Sequence, residues 1–167
     1  NVAEPMPGYL EGVKTLAHEH GALLVFDETI TGFRYALGGA QQLFGVTPDL
    51  ATFGKGLANG YPVSAVAGRA DVMKLMEEVF FSFTFGGEAL SLAAAKATLT
   101  KLKSHDVVQT LALRGEAILD GARRIVADAR LDDVFSLSGH PSWSFLSMRD
   151  ARGATAFEIK TLWMQEL

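Results

Sequence analysis

A chain of 167 residues, 49% apolar and 20% charged, holds enough material for a domain with a real core and is not composed like a disordered segment. A net charge of −4 without a basic stripe argues against nucleic-acid binding, and the absence of cysteine removes disulfide and thiolate chemistry. No run approaches the roughly 18 apolar residues of a membrane span. Asn1-Val2-Ala3-Glu4-Pro5 has neither the basic start nor the apolar centre of a signal peptide. A cytoplasmic protein with no nucleic-acid or membrane partner is expected. With no initial methionine and an amphipathic stretch running to Leu167, the chain reads as an internal piece of a larger protein.

Taken in order, Tyr9 to His20 carries Leu10, Val13, Leu16 and Ala17 at helical spacing, and Gly21 is placed to end that helix. Ala22–Phe26 is a short continuous apolar run, the pattern of a strand covered on both faces. Helix, glycine and buried strand make half of a βαβ unit and imply a mostly parallel sheet. Residues 29–47 are glycine-rich and expected to be irregular, with a short helix around Gln41–Phe44. Pro48-Asp49 then introduces a second strand, Leu50–Phe53.

After Lys55, the turn Asn59-Gly60-Tyr61-Pro62 leads into a third strand at Val63–Ala67. The connection is too short for a crossover helix, so this strand should run antiparallel. A short helix over Asp71 to Glu78 and a strand or extended loop over Val79–Thr84 follow. Glu88 to Lys103 is an alanine-rich, closely packing helix. Asp106 to Ala129 is a long helix with Val107, Leu111, Ile118, Ala122, Ile125 and Val126 broadly on one side, weakened locally by Gly115 and Gly121. Beyond Asp132 the period changes to two, as in strands with one covered face.

Two places call for chemistry. Asp27 follows a buried run and, if partly buried, needs a partner. A protonated ring nitrogen is one candidate; the plain alternative is a carboxylate capping the next turn. Glu28 points to the opposite side of an extended chain, so the two acids divide into one ligand-facing and one structural. Lys55 stands between Gly54 and Gly56, uncrowded and just beyond a strand end, where open α/β sheets place their ligands. A lysine nucleophile must spend time neutral; a surface lysine in a turn is the plain alternative.

Other chemistries fit less well. Asp49 occupies the first glycine position of a P-loop and Gly56 its hydroxyl position. His18 and His20 lie two apart on a helix, so they do not share a metal-facing side and read as exposed. His105 and His140 fall in loop or turn positions, and no metal site is expected.

The segments LLVFDETITGFR, GVTPDLATFGKGLANGYPVSAVAGR and FTFGGEALSLAAA, in that order, closely resemble the fold-type I, class III pyridoxal 5′-phosphate aminotransferases. Gly38-Gly39-Ala40-Gln41 and Phe44-Gly45-Val46-Thr47-Pro48-Asp49 are most similar to the glutamate-1-semialdehyde 2,1-aminomutase branch. The resemblance implies an α/β architecture. Residues 1–104 would be the C-terminal half of the large domain with its mostly parallel sheet. Residues 105–130 would be a linking helix, and 131–167 the start of a small C-terminal α+β domain.

It also implies pyridoxal 5′-phosphate as cofactor, joined to Lys55 as a Schiff base, with Lys55 then shuttling protons and Asp27 pairing with the ring nitrogen. Thr29 stands where the family usually has a valine against the ring, and Glu28 joins the implied cofactor-binding group. Thr84 would reach the phosphate of a neighbouring subunit, which makes a homodimer. The substrates implied are an amino acid or amine and a keto or aldehyde co-substrate. Transamination is the leading expectation. An intramolecular aminomutase, or a truncated non-catalytic structural or interaction homologue, are the alternatives. Ala58-Asn59-Gly60 and Glu88-Ala89 depart from the family's usual glycine triplet and Asn-Pro. Without the family's N-terminal half, the isolated chain is expected to be inactive.

Overall fold

The computed structural model describes residues 3–80 and 82–167 and divides into two units, residues 5–109 and chiefly residues 110–167. In the first unit, helix α1 (Tyr9–Glu19) leads into strand β1 (Val25–Asp27), a short helix α2 (Ala40–Phe44) and strand β2 (Leu50–Phe53). A single 3₁₀ turn (Lys55–Leu57), strand β3 (Ala65–Gly68), helix α3 (Ala70–Met73) with a further 3₁₀ turn, and helix α4 (Ala89–Ser104) follow. The three strands form a sheet in sequence order. β1 runs parallel to β2, pairing Asp27 with Thr52, and β3 is antiparallel to β2, as the short connection requires.

Two expectations are corrected. β1 includes Asp27, and it is not covered on both faces: Val25, 52% exposed, and Asp27 lie on an open side, while Phe26 on the other side is half-buried. The described residues of 79–84 form no strand; Thr84 opens a turn through Gly87, and Phe81 lies outside the described residues.

The unit is tied together by Asp49, which is buried. Its Oδ2 accepts hydrogen bonds from His18 Nε2 (2.7 Å) and the Leu24 amide (2.8 Å), and its Oδ1 accepts one from the Arg69 guanidinium (3.0 Å). One carboxylate thus joins α1, the entry to β1 and the exit from β3. His18 is exposed as expected, but it is engaged, with the Nε2 proton pointed at Asp49. These donors, His18 first, then Leu24 and Arg69, hold the Asp49 carboxyl far below its ordinary value. A depressed folded-state pKa contributes stability that is complete above the unfolded value near about 4 and is lost as pH falls below it. Asp49→Ala should therefore lower the thermal midpoint at pH 7 by on the order of 5–10 °C. The gap between variant and parent should narrow steadily in thermal scans below about pH 4.

The small core of this unit lies under the 3₁₀ turn. Leu57, Ala58 and Ala95 are buried together, with Phe33, Phe53, Val63, Ala94 and Leu99 packed around them. Ala94 and Ala95 let α4 approach the turn closely, whereas Ala89, Ala93 and Ala97 are exposed. Glu88 caps α4 by accepting from the amides of Leu90 and Ser91 and from the buried Ser91 hydroxyl, at 2.7, 2.6 and 2.5 Å. This gives the Glu88-Ala89 departure a local structural role. Leu57→Ala would leave a cavity between turn and helix and should cost about 2–4 kcal/mol in urea unfolding.

In the second unit, most of α5 (Val107–Asp128) accompanies the antiparallel hairpin of β4 (Phe135–His140) and β5 (Trp143–Met148), and helix α6 (Ala156–Gln165). The inner side of α5 is Ala112, Gly115, Leu119, Ala122 and Val126, which keeps Ala122 and Val126 of the expected side but not Leu111, Ile118 or Ile125. Leu119 is 3% exposed, whereas Ile118 and Ile125 are 69% and 70% exposed. Gly115 is no mere weakness, since a Cβ there would collide with the Pro141 carbonyl between the two strands. A capping box starts α6: Thr155 accepts from the Glu158 amide while the Glu158 carboxylate accepts from the Thr155 amide and hydroxyl.

Candidate active site

Because β1 and β2 run parallel, their carboxyl ends lie side by side, and the two charges picked out in the sequence emerge at that shared edge. Asp27 closes β1 opposite Thr52. Its Oδ1 accepts two hydrogen bonds, from the Thr29 amide and the Thr52 hydroxyl, both at 2.9 Å. Its Oδ2 accepts none from the described residues.

The carboxylate is therefore oriented by one oxygen and left open at the other. Hydrogen bonding from Thr29 and then Thr52 holds its pKa below the ordinary carboxylate range, and the nearby Lys55 ammonium adds to this. The expected partial burial does not hold: Asp27 is exposed here. Both readings of its function have a basis in the geometry, since the Thr29 contact is a local turn cap and the second oxygen remains free.

Lys55 begins the 3₁₀ turn just beyond β2 and is exposed. Its backbone is left-handed (φ 38°), a conformation that costs a non-glycine residue about 1 kcal/mol and is held here by its surroundings. The Leu57 amide donates to the Gly54 carbonyl (2.8 Å) and the Asn59 amide to the Lys55 carbonyl (3.1 Å), while Leu57 and Ala58 anchor the turn in the core. The turn is thus fastened from below while the lysine side chain stays outside the core. Thr29 borders it: a Cβ at Gly54 would lie 3.3 Å from Thr29 Cγ2.

Glu28 takes the opposite side of the chain from Asp27. Only 1% exposed, it spends its carboxylate on the Thr31 hydroxyl and on the amides of Ala40 and Gln41 (both 2.8 Å). Those bonds turn its side chain inward, toward the loop that follows β1. Thr84 is exposed in its turn, apart from the Asp27–Lys55 edge in sequence. His105 ends α4 and His140 ends β4; among the described residues no group of three or more His, Asp or Glu could hold a metal ion.

Sequence reasoning missed Asp49 as the organising carboxylate. A Pro-Asp pair directly before a buried strand was the available signal, since a carboxylate so placed needs donors.

The Aminotransferase class-III family model matches residues 2–138. The chain is 35% identical, over 99% of its length, to the 3-aminobutyryl-CoA aminotransferase of Cloacimonas acidaminovorans. It is 48% identical over 120 residues, 70% of the chain, to the glutamate-1-semialdehyde 2,1-aminomutase of Syntrophobacter fumaroxidans. It spans 40% and 28% of those two proteins, respectively. Among solved structures, the pyridoxal-phosphate internal aldimine form of the Sphingopyxis sp. MTA144 FumI protein superposes with a TM-score of 0.79 at 28% identity. That match covers 89% of this chain and 35% of the other. The sheet edge carrying Asp27 and Lys55 is thus part of the fold-type I architecture, and the chain belongs to the class-III aminotransferases, a family of enzymes that use pyridoxal 5′-phosphate.

Proposed function

We propose that the protein carrying this chain moves an amino group with pyridoxal 5′-phosphate, and that it does so within one molecule, as an aminomutase of the glutamate-1-semialdehyde type. The observation that carries this reading is the pairing of an open Asp27 oxygen with an uncovered Lys55 in a chain 48% identical over 120 residues to such an aminomutase. The donor set fits the cofactor. Asp27 Oδ2 offers an unfilled acceptor to a protonated ring nitrogen, Lys55 offers a primary amine to an aldehyde, and Thr29 lies beside the turn between them.

When bound, the cofactor supplies an electron sink for the charge released at the substrate carbon. Lys55 would hold it through Nζ, and the same amine would take a proton from the substrate and return it. Asp27 keeps its negative charge at the ring edge, and the two hydrogen bonds on Oδ1 fix the direction of Oδ2. Thr84, exposed in its turn, serves the phosphate of a neighbouring subunit in a homodimer. Residues 1–104 belong to the large domain, 105–130 to a linking helix and 131–167 to a smaller C-terminal domain, in a cytoplasmic protein.

Intermolecular transamination is the second reading, favoured by the 35% identity to the 3-aminobutyryl-CoA aminotransferase across 99% of the chain. An amine or amino acid and a keto or aldehyde acceptor would then be the substrates. The full-length protein, loaded with cofactor and given glutamate-1-semialdehyde alone, should form an isomer of unchanged mass with the amino group on the neighbouring carbon. Turnover that depends on a separate amino donor and acceptor would replace the aminomutase with the transaminase.

A further inference from the structure

We propose that Glu28 is a positioning residue for Lys55, acting through the loop of residues 29–39 rather than on the cofactor. Buried at 1% exposure, its carboxylate receives the Thr31 hydroxyl at one end of the loop and the Ala40 and Gln41 amides at the other. The loop is thereby closed upon a single side chain. Gly39 allows this, because any Cβ there would run into the carboxylate.

The closed loop in turn presses on the lysine turn. Its Gly32 is confined between the Glu28 carbonyl and the Phe53 ring, where a Cβ would lie 2.7 and 2.8 Å from them. Phe33 meets Phe53 ring to ring, with centroids 5.5 Å apart. A Cβ at Gly56, next to Lys55, would lie 3.3 Å from the Gly32 carbonyl and 3.7 Å from Phe33 Cβ. Contact therefore runs from Glu28 to the loop, from Gly32 and Phe33 to Phe53 and Gly56, and so to both flanks of Lys55. A left-handed lysine, strained on its own, persists only where its neighbours hold it.

This inference rests on the reading of Lys55 as the cofactor-bearing amine, and its test separates the two. In the full-length protein, Glu28→Ala and Glu28→Gln are compared with the parent by amide hydrogen exchange and by the rate at which added pyridoxal 5′-phosphate becomes borohydride-trapped on Lys55. In Glu28→Ala, exchange at the Leu57 and Asn59 amides should rise by about tenfold or more while α1 keeps its protection. The trapping rate should fall by about tenfold or more. Glu28→Gln, which keeps one acceptor oxygen and the shape, should recover part of both.

Faster exchange confined to Ala40 and Gln41, with trapping at the parent rate, would overturn the proposal and leave Glu28 a local cap. If Glu28→Ala fails to fold, Thr31→Val removes one of the three donors and should move both readouts in the same direction; no movement would likewise overturn it. Absence of trapping on Lys55 in the parent would sink the Lys55 reading alone, and exchange at Leu57 and Asn59 would still decide the coupling.

Discussion

In the full-length protein, Lys55→Ala should abolish the absorbance band at about 410–430 nm that a lysine-bound pyridoxal cofactor gives, and should lower turnover by at least on the order of 10²–10⁴-fold. The structure makes this a sharp expectation. Lys55 is exposed, its backbone conformation is tolerated by alanine about as poorly as by lysine, and the core beneath it consists of Leu57, Ala58 and Ala95. Alanine removes the amine and leaves that core untouched, so unfolding in urea should stay within about 0.5 kcal/mol of the parent. A band that persisted at parental intensity would place the cofactor on another lysine. Leu57→Ala should do the reverse, with stability falling while the amine remains.

Asp27→Asn is expected to cost about 10²–10³-fold in kcat/KM with little change in stability. Asparagine can keep its carbonyl oxygen where Oδ1 accepts from the Thr29 amide and the Thr52 hydroxyl. Its amino group then lies where Oδ2 stood open, a donor in place of an anion, and a protonated ring nitrogen loses its partner. The electron sink weakens while the local turn survives. Asp27→Ala would lose the turn cap as well, so its stability loss should exceed that of Asp27→Asn. The parent carboxyl is held below its ordinary value by Thr29, Thr52 and Lys55, so it remains charged above about pH 4. Any acid limb of activity above about pH 4 should therefore keep its position in Asp27→Asn.

What could be read in advance was local. α1, β2, α4 and the alternating pattern of the two C-terminal strands follow from periodicity and turn residues within a few positions of each other. The antiparallel run of β3 followed from the shortness of its connection. That Asp27 and Lys55 would come to one sheet edge was legible because both residues stand where an apolar run stops. What escaped depended on distance along the chain. Asp49 draws its donors from residues 31, 25 and 20 positions away, so no window around Pro48-Asp49 contains them.

Glu28 similarly caps a helix that begins 12 residues later, and its inward turn is visible only once Gly39 and Ala40 have folded back over it. On α5 the misreading had another cause. Ile118 and Ile125 are apolar but face outward, while two of the five inner positions are alanine and one is glycine, too small to mark a face by hydrophobicity. A glycine chosen for contact with Pro141 reads, in sequence, as a flaw in a helix.

The amine at position 55 can be examined most directly by loading the full-length protein with pyridoxal 5′-phosphate, reducing it with borohydride and mapping the modified peptide by mass spectrometry. The expected result is one reduced adduct per chain, on the peptide containing Gly54-Lys55-Gly56. An adduct on a different lysine, or none in protein that retains its fold, would contradict the assignment.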